Sequence, residues 1–294
     1  MKKEKFDFEN KEGKEEITSR IILHFFRHAE KETAKGKPDE EIELTEQGRV
    51  QSIEKSEDED ISQSLAFGSP RKRTQQTAGF VMAGKLDEII GNESIDELKQ
   101  KLDEELKIGS KVRIDKRLDF NGDFSTPFGE KAMDAFKRGE YLKFLVEESD
   151  ELADSLQDKD AETYKRMASR IADIIEKYLL IAPRWDELAQ DENKKYEDTL
   201  KRFFGTHQGI SESFLVKVVE ITKGKEARDM LISAFGNQGF GFVEGFDVEI
   251  QTINGKDQKV RISFKKEQDG EDIFEYDEII PKQVLDGILS GNIG

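Results

Sequence analysis

Apolar residues occur along the chain in short runs that alternate with segments of helical spacing. Four runs have the length and composition of buried strands: 21–26, 65–69, 112–120 and 201–206. Thr45 and Ser94 are predicted helix caps, and apolar positions three and four residues apart follow each of them. Strands that alternate with helices are typical of an α/β protein, so we expect a mainly parallel sheet flanked by helices.

The segment from about 130 to 190 is helical almost throughout. Apolar residues such as Phe136 and Ile171 recur at helical spacing in two helices, and Pro183 and Trp185 follow the second helix. We interpret the segment as a helical insertion whose helices pack in the core and carry charged outer faces. A lid over a site, or a helix that binds a partner, is the alternative interpretation.

The pattern changes to alternation after about residue 225. Residues 240–253 alternate between apolar and polar, Asn254-Gly255 is a strong turn signal, and residues 260–264 complete a β-hairpin. Residues 274–276 can add a short strand, and Pro281 opens a terminal helix. We expect the hairpin either to extend the sheet or to form a small appendage.

These patterns divide the chain of 294 residues into three parts. Residues 1–19 are charged and aperiodic, which predicts an N-terminal arm. Residues 20–225 form the α/β domain with its helical insertion. Residues 226–294 form a C-terminal helix and hairpin extension that is expected to pack on the same domain.

Composition narrows the possible partners and chemistry. The net charge of -17 and the sequence pI near 4.9 oppose binding to nucleic acid or to anionic membranes. The absence of Cys excludes thiolate nucleophiles and zinc-thiolate sites. The N-terminus has no apolar core of a signal peptide and no stretch reaches the length of a membrane span, so a cytoplasmic protein is expected.

Charged residues follow the apolar runs at the points where the predicted strands end. Arg27-His28-Ala29-Glu30 follows the first run, the segment 69–78 (SPRKRTQQTA) follows the second, and the segment 205–209 (GTHQG) follows the fourth. The carboxyl ends of strands are where ligands bind in open α/β sheets. Arginine and histidine at such ends predict an anion site, and phosphate is the natural anion.

These three segments, in this order, resemble the motifs of the histidine phosphatase superfamily, the phosphoglycerate-mutase-like enzymes. The resemblance covers about the first two thirds of the chain, and Ala29 stands where the family usually has Gly. It implies the phosphoglycerate-mutase-like fold, no metal and no other cofactor. It also implies that His28 is the nucleophile and that His207 is a further donor to the transferring phosphoryl group.

The resemblance implies phosphate-binding roles for Arg27 and Arg73, with Glu30 and Thr77 orienting the same site. Arg73 is chosen over Arg71 because it lies four residues after the motif serine and four before the motif threonine. Arg71 and Lys72 are expected to face solvent, with contact to an anionic substrate as the alternative for either residue. His24, which lies inside the first run, is expected to be a packing or hydrogen-bonding residue.

The general acid is the part of the family pattern that this chain matches least. Many members have a Glu just before a Gly after the third strand, and this chain offers only Asp119 and Asp123 there. We choose Asp119 and keep Asp123 as the alternative. As a proton donor Asp119 would need a raised pKa, which Phe120 or Phe124 could supply by desolvation.

The sequence therefore predicts a metal-independent phosphomonoester hydrolase that acts through a phosphohistidine. Its expected substrate is a small phosphorylated molecule or a phosphoprotein. Two alternatives stay open, namely a phosphoglycerate-type mutase and a noncatalytic phosphate-binding or scaffold protein on the same fold. Nothing in the sequence indicates the oligomeric state.

Overall fold

One seven-stranded sheet forms the centre of the protein. The computed structural model describes residues 16–58, 60–106, 111–193 and 196–291. The strands are β1 (Ile17–Arg27), β2 (Leu65–Gly68), β3 (Val112–Ile114), β4 (Thr199–Thr206), β5 (Gly245–Ile253), β6 (Asp257–Gln268) and β7 (Glu271–Ile280).

Helices connect these strands and cover the sheet. They are α1 (Glu46–Glu54), α2 (Lys72–Ala83), α3 (Ile95–Leu106), α4 (Pro127–Arg138), α5 (Tyr141–Glu147), α6 (Ser149–Leu156), α7 (Tyr164–Ala189), α8 (Ile210–Lys223), α9 (Lys225–Ala234) and α10 (Lys282–Ser290). The predicted α/β class is confirmed. The Thr45 hydroxyl accepts a hydrogen bond from the backbone N–H of Gly48 at the start of α1, so the predicted cap is also confirmed.

The sheet is mixed, and the expectation of a mainly parallel sheet is wrong. The strand order is β3-β2-β4-β1-β5-β6-β7. Pairs among β3, β2, β4 and β1 are parallel, whereas β1–β5, β5–β6 and β6–β7 are antiparallel. The reason is the C-terminal segment, in which tight turns reverse the chain and so give antiparallel neighbours.

The C-terminal hairpin extends the sheet, which settles the two possibilities that the sequence left. Asn254 and Gly255 lie in the turn between β5 and β6 with φ angles of 49° and 70°, which a two-residue hairpin turn requires. The short strand predicted at 274–276 is the ten-residue β7. The terminal helix α10 begins directly after Pro281, as predicted.

Two hydrophobic clusters lie on opposite faces of the sheet. Adjacent residues of a strand point to opposite faces, and the neighbours Phe25 and Phe26 of β1 divide between the clusters. Phe203 and Phe204 of β4 divide in the same way. Phe25 and Phe204 stack with ring centroids 4.7 Å apart in the larger cluster, which α7 and α8 complete. The strands that lead to the site are therefore buried on both faces.

The helical insertion lies between β3 and β4, and it forms the four helices α4 to α7 rather than the two that were predicted, because breaks near Gly139 and Glu148 divide the first predicted helix. Pro183 lies inside α7, because the helix continues to Ala189 and buries Trp185, whose indole N–H donates to the carbonyl of Asp198. Phe136 was expected in the core, yet its side chain is 42% exposed, since α4 turns this residue toward a cavity.

The boundaries at two predicted strands also differ. The predicted strand 112–120 ends at Ile114, because the carboxylate of Asp115 accepts the backbone N–H of Arg117 and starts a short 3₁₀ turn. β1 begins at Ile17, and residues 1–15 of the predicted arm lie outside the described residues. Within the described ranges no helix is both long and apolar enough to cross a bilayer.

Candidate active site

Four neighbouring parallel strands end at the same edge of the sheet and bring the motif residues together. His28 follows β1, Ser69 follows β2, and His207 follows β4. Asp119 follows β3 after one 3₁₀ turn. Because the carboxyl ends of parallel strands share one edge, residues up to 179 positions apart in the sequence (28 to 207) meet in one place.

His28 is buried and held in one tautomer. Its Nδ1 lies 2.7 Å from the carbonyl oxygen of Ala29, and a carbonyl oxygen can only accept, so Nδ1 carries the proton. Burial, together with the nearby His207 and arginines, holds the pKa of His28 well below its usual range. The ring is therefore neutral near pH 7, and Nε2 keeps a free lone pair.

Ala29 replaces the expected glycine without backbone strain. Its φ is not in the left-handed region that favours glycine. Its N–H donates to the hydroxyl of Thr77 over 3.1 Å, and its carbonyl accepts from His28. Thr77 thus holds the segment that orients His28. Thr77 is fully buried and does not line the cavity, so it has no direct access to a phosphate.

His207 lies beside His28 with its ring nearly perpendicular. The ring centroids are 5.4 Å apart, and Nε2 of His207 is 2.9 Å from the hydroxyl of Ser69 and 3.4 Å from Oδ1 of Asp119. Burial lowers the pKa of His207 to about 4, although the hydrogen bond to Asp119 opposes the shift. Two neutral imidazoles therefore face each other at this edge.

Arg27 is fixed by the loop that precedes β5. Its Nη1 donates to the carbonyl of Phe240 over 2.6 Å, and its guanidinium lies 4.9 Å from the ring centre of Phe242. The carboxylate of Glu212, which is fully buried, accepts the N–H of Phe240 and that of Gly209. Arg27 therefore binds the carbonyl of Phe240, and Glu212 binds the N–H of the same residue. Within the described residues the Nε of Arg27 is buried and has no hydrogen-bond partner.

Arg71 and Arg73 converge on one carboxylate, that of Asp39. Arg73 donates from Nη2 to Oδ2 and from Nη1 to the backbone carbonyl of Asp39, both over 2.9 Å. Arg71 donates from Nη1 to the same Oδ2. Lys31 adds a third cation 3.3 Å from Oδ1. The Asp39 carboxylate therefore occupies a position with the charge environment that a phosphate would need.

The contacts of Arg71 contradict its predicted solvent-facing position. Besides Asp39, it donates to Oδ1 of Asp119 and to the carbonyl of Phe120, each over 2.8 Å. These acceptors draw its side chain inward, leaving it 17% exposed on the cavity wall. Lys72 instead pairs with Glu41 away from the cavity. Both Arg71 and Arg73 are thus part of the site.

The neighbours of Asp119 lower its pKa, whereas the sequence predicts a raised pKa for this residue. Burial alone raises the pKa, but hydrogen bonds with His207 and Arg71 and the charge of Arg71 outweigh it and lower the pKa below its ordinary value. Asp119 is consequently a carboxylate near pH 7. The raised pKa expected from Phe120 and Phe124 is wrong, because a guanidinium 2.8 Å away dominates over apolar contact.

The remaining histidine is remote from this site. His24 places Nδ1 2.7 Å from the carboxylate of Asp247 on β5 and stacks on Phe203 with ring centroids 4.8 Å apart. The expectation that His24 is a packing and hydrogen-bonding residue is confirmed. It supplies a matched comparison for His28 on the same strand.

A cavity of about 550 Å³ opens above the strand ends. Arg27, His28, Arg73, His207 and Glu30 all line it, as the motifs predict. Sequence reasoning missed Asp39, Lys31 and Glu212. A signal existed for Glu212, which lies three residues after Gly209 at the start of α8 and accepts the backbone N–H of that glycine.

No cluster of three or more His, Asp or Glu side chains in the described ranges is arranged to hold a metal ion. The cations that face the cavity are Arg27, Lys31, Arg71 and Arg73. Positive charge at the site therefore comes from side chains, in a chain whose overall charge is strongly negative.

No family model and no curated protein matches the sequence. Among solved structures, a mycobacterial glucosyl-3-phosphoglycerate phosphatase is 15% identical, with a TM-score of 0.45 over 84% of this chain and 98% of that one. The phosphoserine phosphatase of Entamoeba histolytica is 16% identical, with a TM-score of 0.38 over 80% and 95% of the two chains. The phytase of Klebsiella sp ASR1 is 12% identical, with a TM-score of 0.33 over 95% and 96%. Two of these proteins are named as phosphatases and the third as a phytase.

Proposed function

We propose that this protein is a phosphomonoester hydrolase of the histidine phosphatase type, with His28 as the nucleophile. One observation carries the proposal: the Nδ1 proton of His28 is engaged by Ala29, so the unprotonated Nε2 is left for phosphorus. Arg27, Arg71 and Arg73 supply donors for the nonreacting oxygens. The order of the three sequence motifs supports the same assignment.

The proposed reaction has two steps. In the first step, Nε2 of His28 forms a bond to phosphorus while the bond from phosphorus to the leaving oxygen breaks, and the leaving alcohol takes up a proton. In the second step, water attacks phosphorus, the phosphorus–nitrogen bond breaks and inorganic phosphate leaves. The proton that water loses balances the proton taken up earlier, and His28 returns to its neutral form.

Release of inorganic phosphate from an aryl phosphate such as 4-nitrophenyl phosphate tests the proposal. We expect saturable turnover that a chelator leaves unchanged, because the positive charge at the site comes from guanidinium groups. Loss of activity with chelator and recovery with a divalent metal would overturn metal independence. Absence of any phosphate release from a panel of aryl and alkyl phosphates would overturn the hydrolase assignment.

Asp119 is proposed to position His207 and Arg71 rather than to protonate the leaving group, since it is ionised. Asp119→Asn keeps an oxygen for Arg71 but removes the charge. We expect it to slow an aryl phosphate and an alkyl phosphate by similar factors, each on the order of 10-fold. Comparison of kcat/KM for phenyl phosphate and ethyl phosphate is the measurement.

Two features make this comparison decisive. A general acid would instead accelerate hydrolysis of the alkyl ester only, because the basic leaving group of that ester needs a proton. Loss of the acid would lower kcat/KM for the alkyl ester alone, by roughly 10²-fold. Asp123→Asn is the matched control, because Asp123 is the other carboxylate of this loop and accepts hydrogen bonds from Ser125 instead of from Arg71 and His207. A decrease in kcat/KM of Asp119→Asn that is confined to ethyl phosphate would instead identify Asp119 as the general acid.

Asp39 competes with phosphate for Arg71 and Arg73 under this proposal. Removing its charge by Asp39→Asn should free both guanidinium groups, so inorganic phosphate should inhibit about 10-fold more tightly. The inhibition constant of phosphate in the hydrolysis assay is the measurement. Glu41→Gln removes one charge from the same 3₁₀ turn (Asp39–Glu41), where Glu41 pairs with Lys72 outside the cavity lining, and should leave the constant within twofold. Equal effects of the two variants, or weaker inhibition in Asp39→Asn, would show that Asp39 does not compete.

A further inference from the structure

The cavity above His28 has two chemically different parts. One part holds the imidazoles, the arginines and Asp39. The other part is a wall of large apolar side chains contributed by two loops and by α4 and α5, namely Phe120, Phe124, Met133, Phe136, Tyr141 and Phe242. We call these six residues the apolar wall. At about 550 Å³ the cavity is of the size that holds a drug-sized ligand, and a phosphoryl group fills only a small part of it.

Three rings of the apolar wall remain open to solvent. Phe124, Phe136 and Phe242 are 45%, 42% and 43% exposed. Single exposed apolar residues are ordinary, but several that converge on one concave site mark a ligand surface. A ligand that covers the rings would remove their apolar area from water, which stabilises the complex by roughly 25 cal/mol per Å².

The rings are held in place by their neighbours. Phe120 stacks on Phe124 with centroids 5.4 Å apart, and Phe136 meets Tyr141 edge-on at 5.9 Å. Phe242 lies under the guanidinium of Arg27, so the apolar wall begins directly beside a group that is proposed to bind the phosphoryl oxygens. Because neighbouring rings already hold these side chains in place, the wall loses little conformational entropy when a large apolar ligand packs against it.

Charge on the cavity surface is confined to one side. Lys31, Arg71 and Arg73 all contact Asp39, and Arg27 is next to His28 in the chain. Among the described residues of the apolar wall, none carries a charge that could pair with a second anionic group on the substrate. A second phosphate or a carboxylate placed there would lose hydration without compensation.

We propose that the substrate is the phosphomonoester of a large apolar alcohol, with at least one ring or a comparable hydrocarbon group packed against the apolar wall. The inference deepens the proposed function and rests on it for the position of the phosphoryl group. It assigns Phe124, Phe136 and Met133 as residues that determine specificity. These residues lie in the 121–128 loop and the helical insertion, which thus form part of the substrate site.

Two matched ligand series test this inference. Phenyl, 4-ethylphenyl and 4-butylphenyl phosphate have leaving groups of nearly equal basicity, so differences in kcat/KM report contacts with the added methylenes. Each fully buried methylene contributes about 0.8 kcal/mol, or roughly fourfold. We expect kcat/KM to rise at least 10-fold from phenyl to 4-butylphenyl phosphate. The corresponding arylphosphonates, which are not hydrolysed, should show a similar rise in affinity by calorimetry.

Variants locate the contact. Phe136→Ala and Phe124→Ala should each reduce the ratio of kcat/KM between the butyl and the phenyl ester, and a ratio within one variant cancels any general loss. Leu180→Ser is the control, because Leu180 is 74% exposed on α7 and is not a lining residue of the cavity. Its ratio should equal that of the wild type.

The outcomes separate this inference from the proposed function. Hydrolysis of all esters with a flat series, or a preference for 4-(2-carboxyethyl)phenyl over 4-propylphenyl phosphate, would overturn the apolar substrate and leave the hydrolase in place. A rise in phosphonate affinity without hydrolysis of any ester would support the apolar site and overturn the hydrolase. A flat phosphonate series together with no hydrolysis would overturn both.

Discussion

A His28→Ala variant is expected to lose turnover of an aryl phosphate by about 10⁴-fold or more, because the proposed covalent intermediate forms on this residue. The neighbouring imidazole of His207 is not expected to replace it, since its Nε2 is engaged by Ser69 and Asp119. The rate constant for phosphate release under saturating substrate is the measurement. The fold should survive, because His28 follows the last residue of β1 and lines the cavity, so a smaller side chain only enlarges a space that is already open.

His24→Ala is the matched control for this loss. His24 lies on the same strand, is hydrogen-bonded to Asp247 and does not line the cavity, so its variant should retain activity within about threefold. Thermal unfolding of both variants separates catalysis from stability. A His28→Ala protein with more than a tenth of the wild-type rate would refute the assigned nucleophile.

The second large effect is expected at Arg73, whose side chain is buried and is proposed to bind the phosphoryl oxygens. Loss of one positioned donor to a developing phosphoryl charge costs roughly 10²- to 10³-fold, so Arg73→Ala should reduce kcat/KM by about 10³-fold. Arg73→Lys keeps the charge but loses the planar fork, and we expect a loss of about 10²-fold. The order wild type, Lys, Ala is the result to check by steady-state kinetics.

Arg138→Ala controls for the removal of a cation from this acidic protein. Arg138 is 60% exposed on α4 and pairs with Glu140, so its loss should change kcat/KM by less than twofold. If Arg73→Ala and Arg138→Ala behaved alike, Arg73 would serve only to hold Asp39. In that case the phosphate would have to bind through Arg27 and Arg71.

The sequence predicted the strand ends and most of the site because both depend on local patterns. An apolar run that stops at Arg27-His28, and another that stops before His207, already place these residues at strand ends. Parallel strands then bring the ends together without further information. The lining of the cavity by Arg27, His28, Arg73 and His207 follows from this geometry.

Features that depend on long-range contacts could not be predicted. Asp39 is one of 64 acidic residues, and only the fold shows that Arg71 and Arg73 reach it. The ionised state of Asp119 depends on Arg71, which lies 48 positions earlier in the chain. The mixed sheet depends on β5 pairing with β1, and no local pattern specifies the partner of a strand.

Departures of a single residue have local physical reasons that the sequence pattern masks. Phe136 has the spacing of a core residue, yet it lies at the edge of the apolar stripe of α4 and faces the cavity. Pro183 is a usual signal for a helix end, but burial of Trp185 two residues later keeps α7 intact. Tertiary packing outweighs the local preference in both cases.

The central claim is that the phosphoryl group passes through His28, and rapid-quench trapping tests it most directly. Enzyme in excess is mixed with an aryl phosphate, quenched in alkaline denaturant within milliseconds and digested for mass spectrometry. We predict a phosphoryl group on His28 that alkali preserves and acid releases, as expected for a phosphorus–nitrogen bond, and none in His28→Ala. Complete turnover of the bound substrate with no phosphoenzyme at any time point, or a phosphoryl group found on Ser69 or His207 instead, would contradict the account.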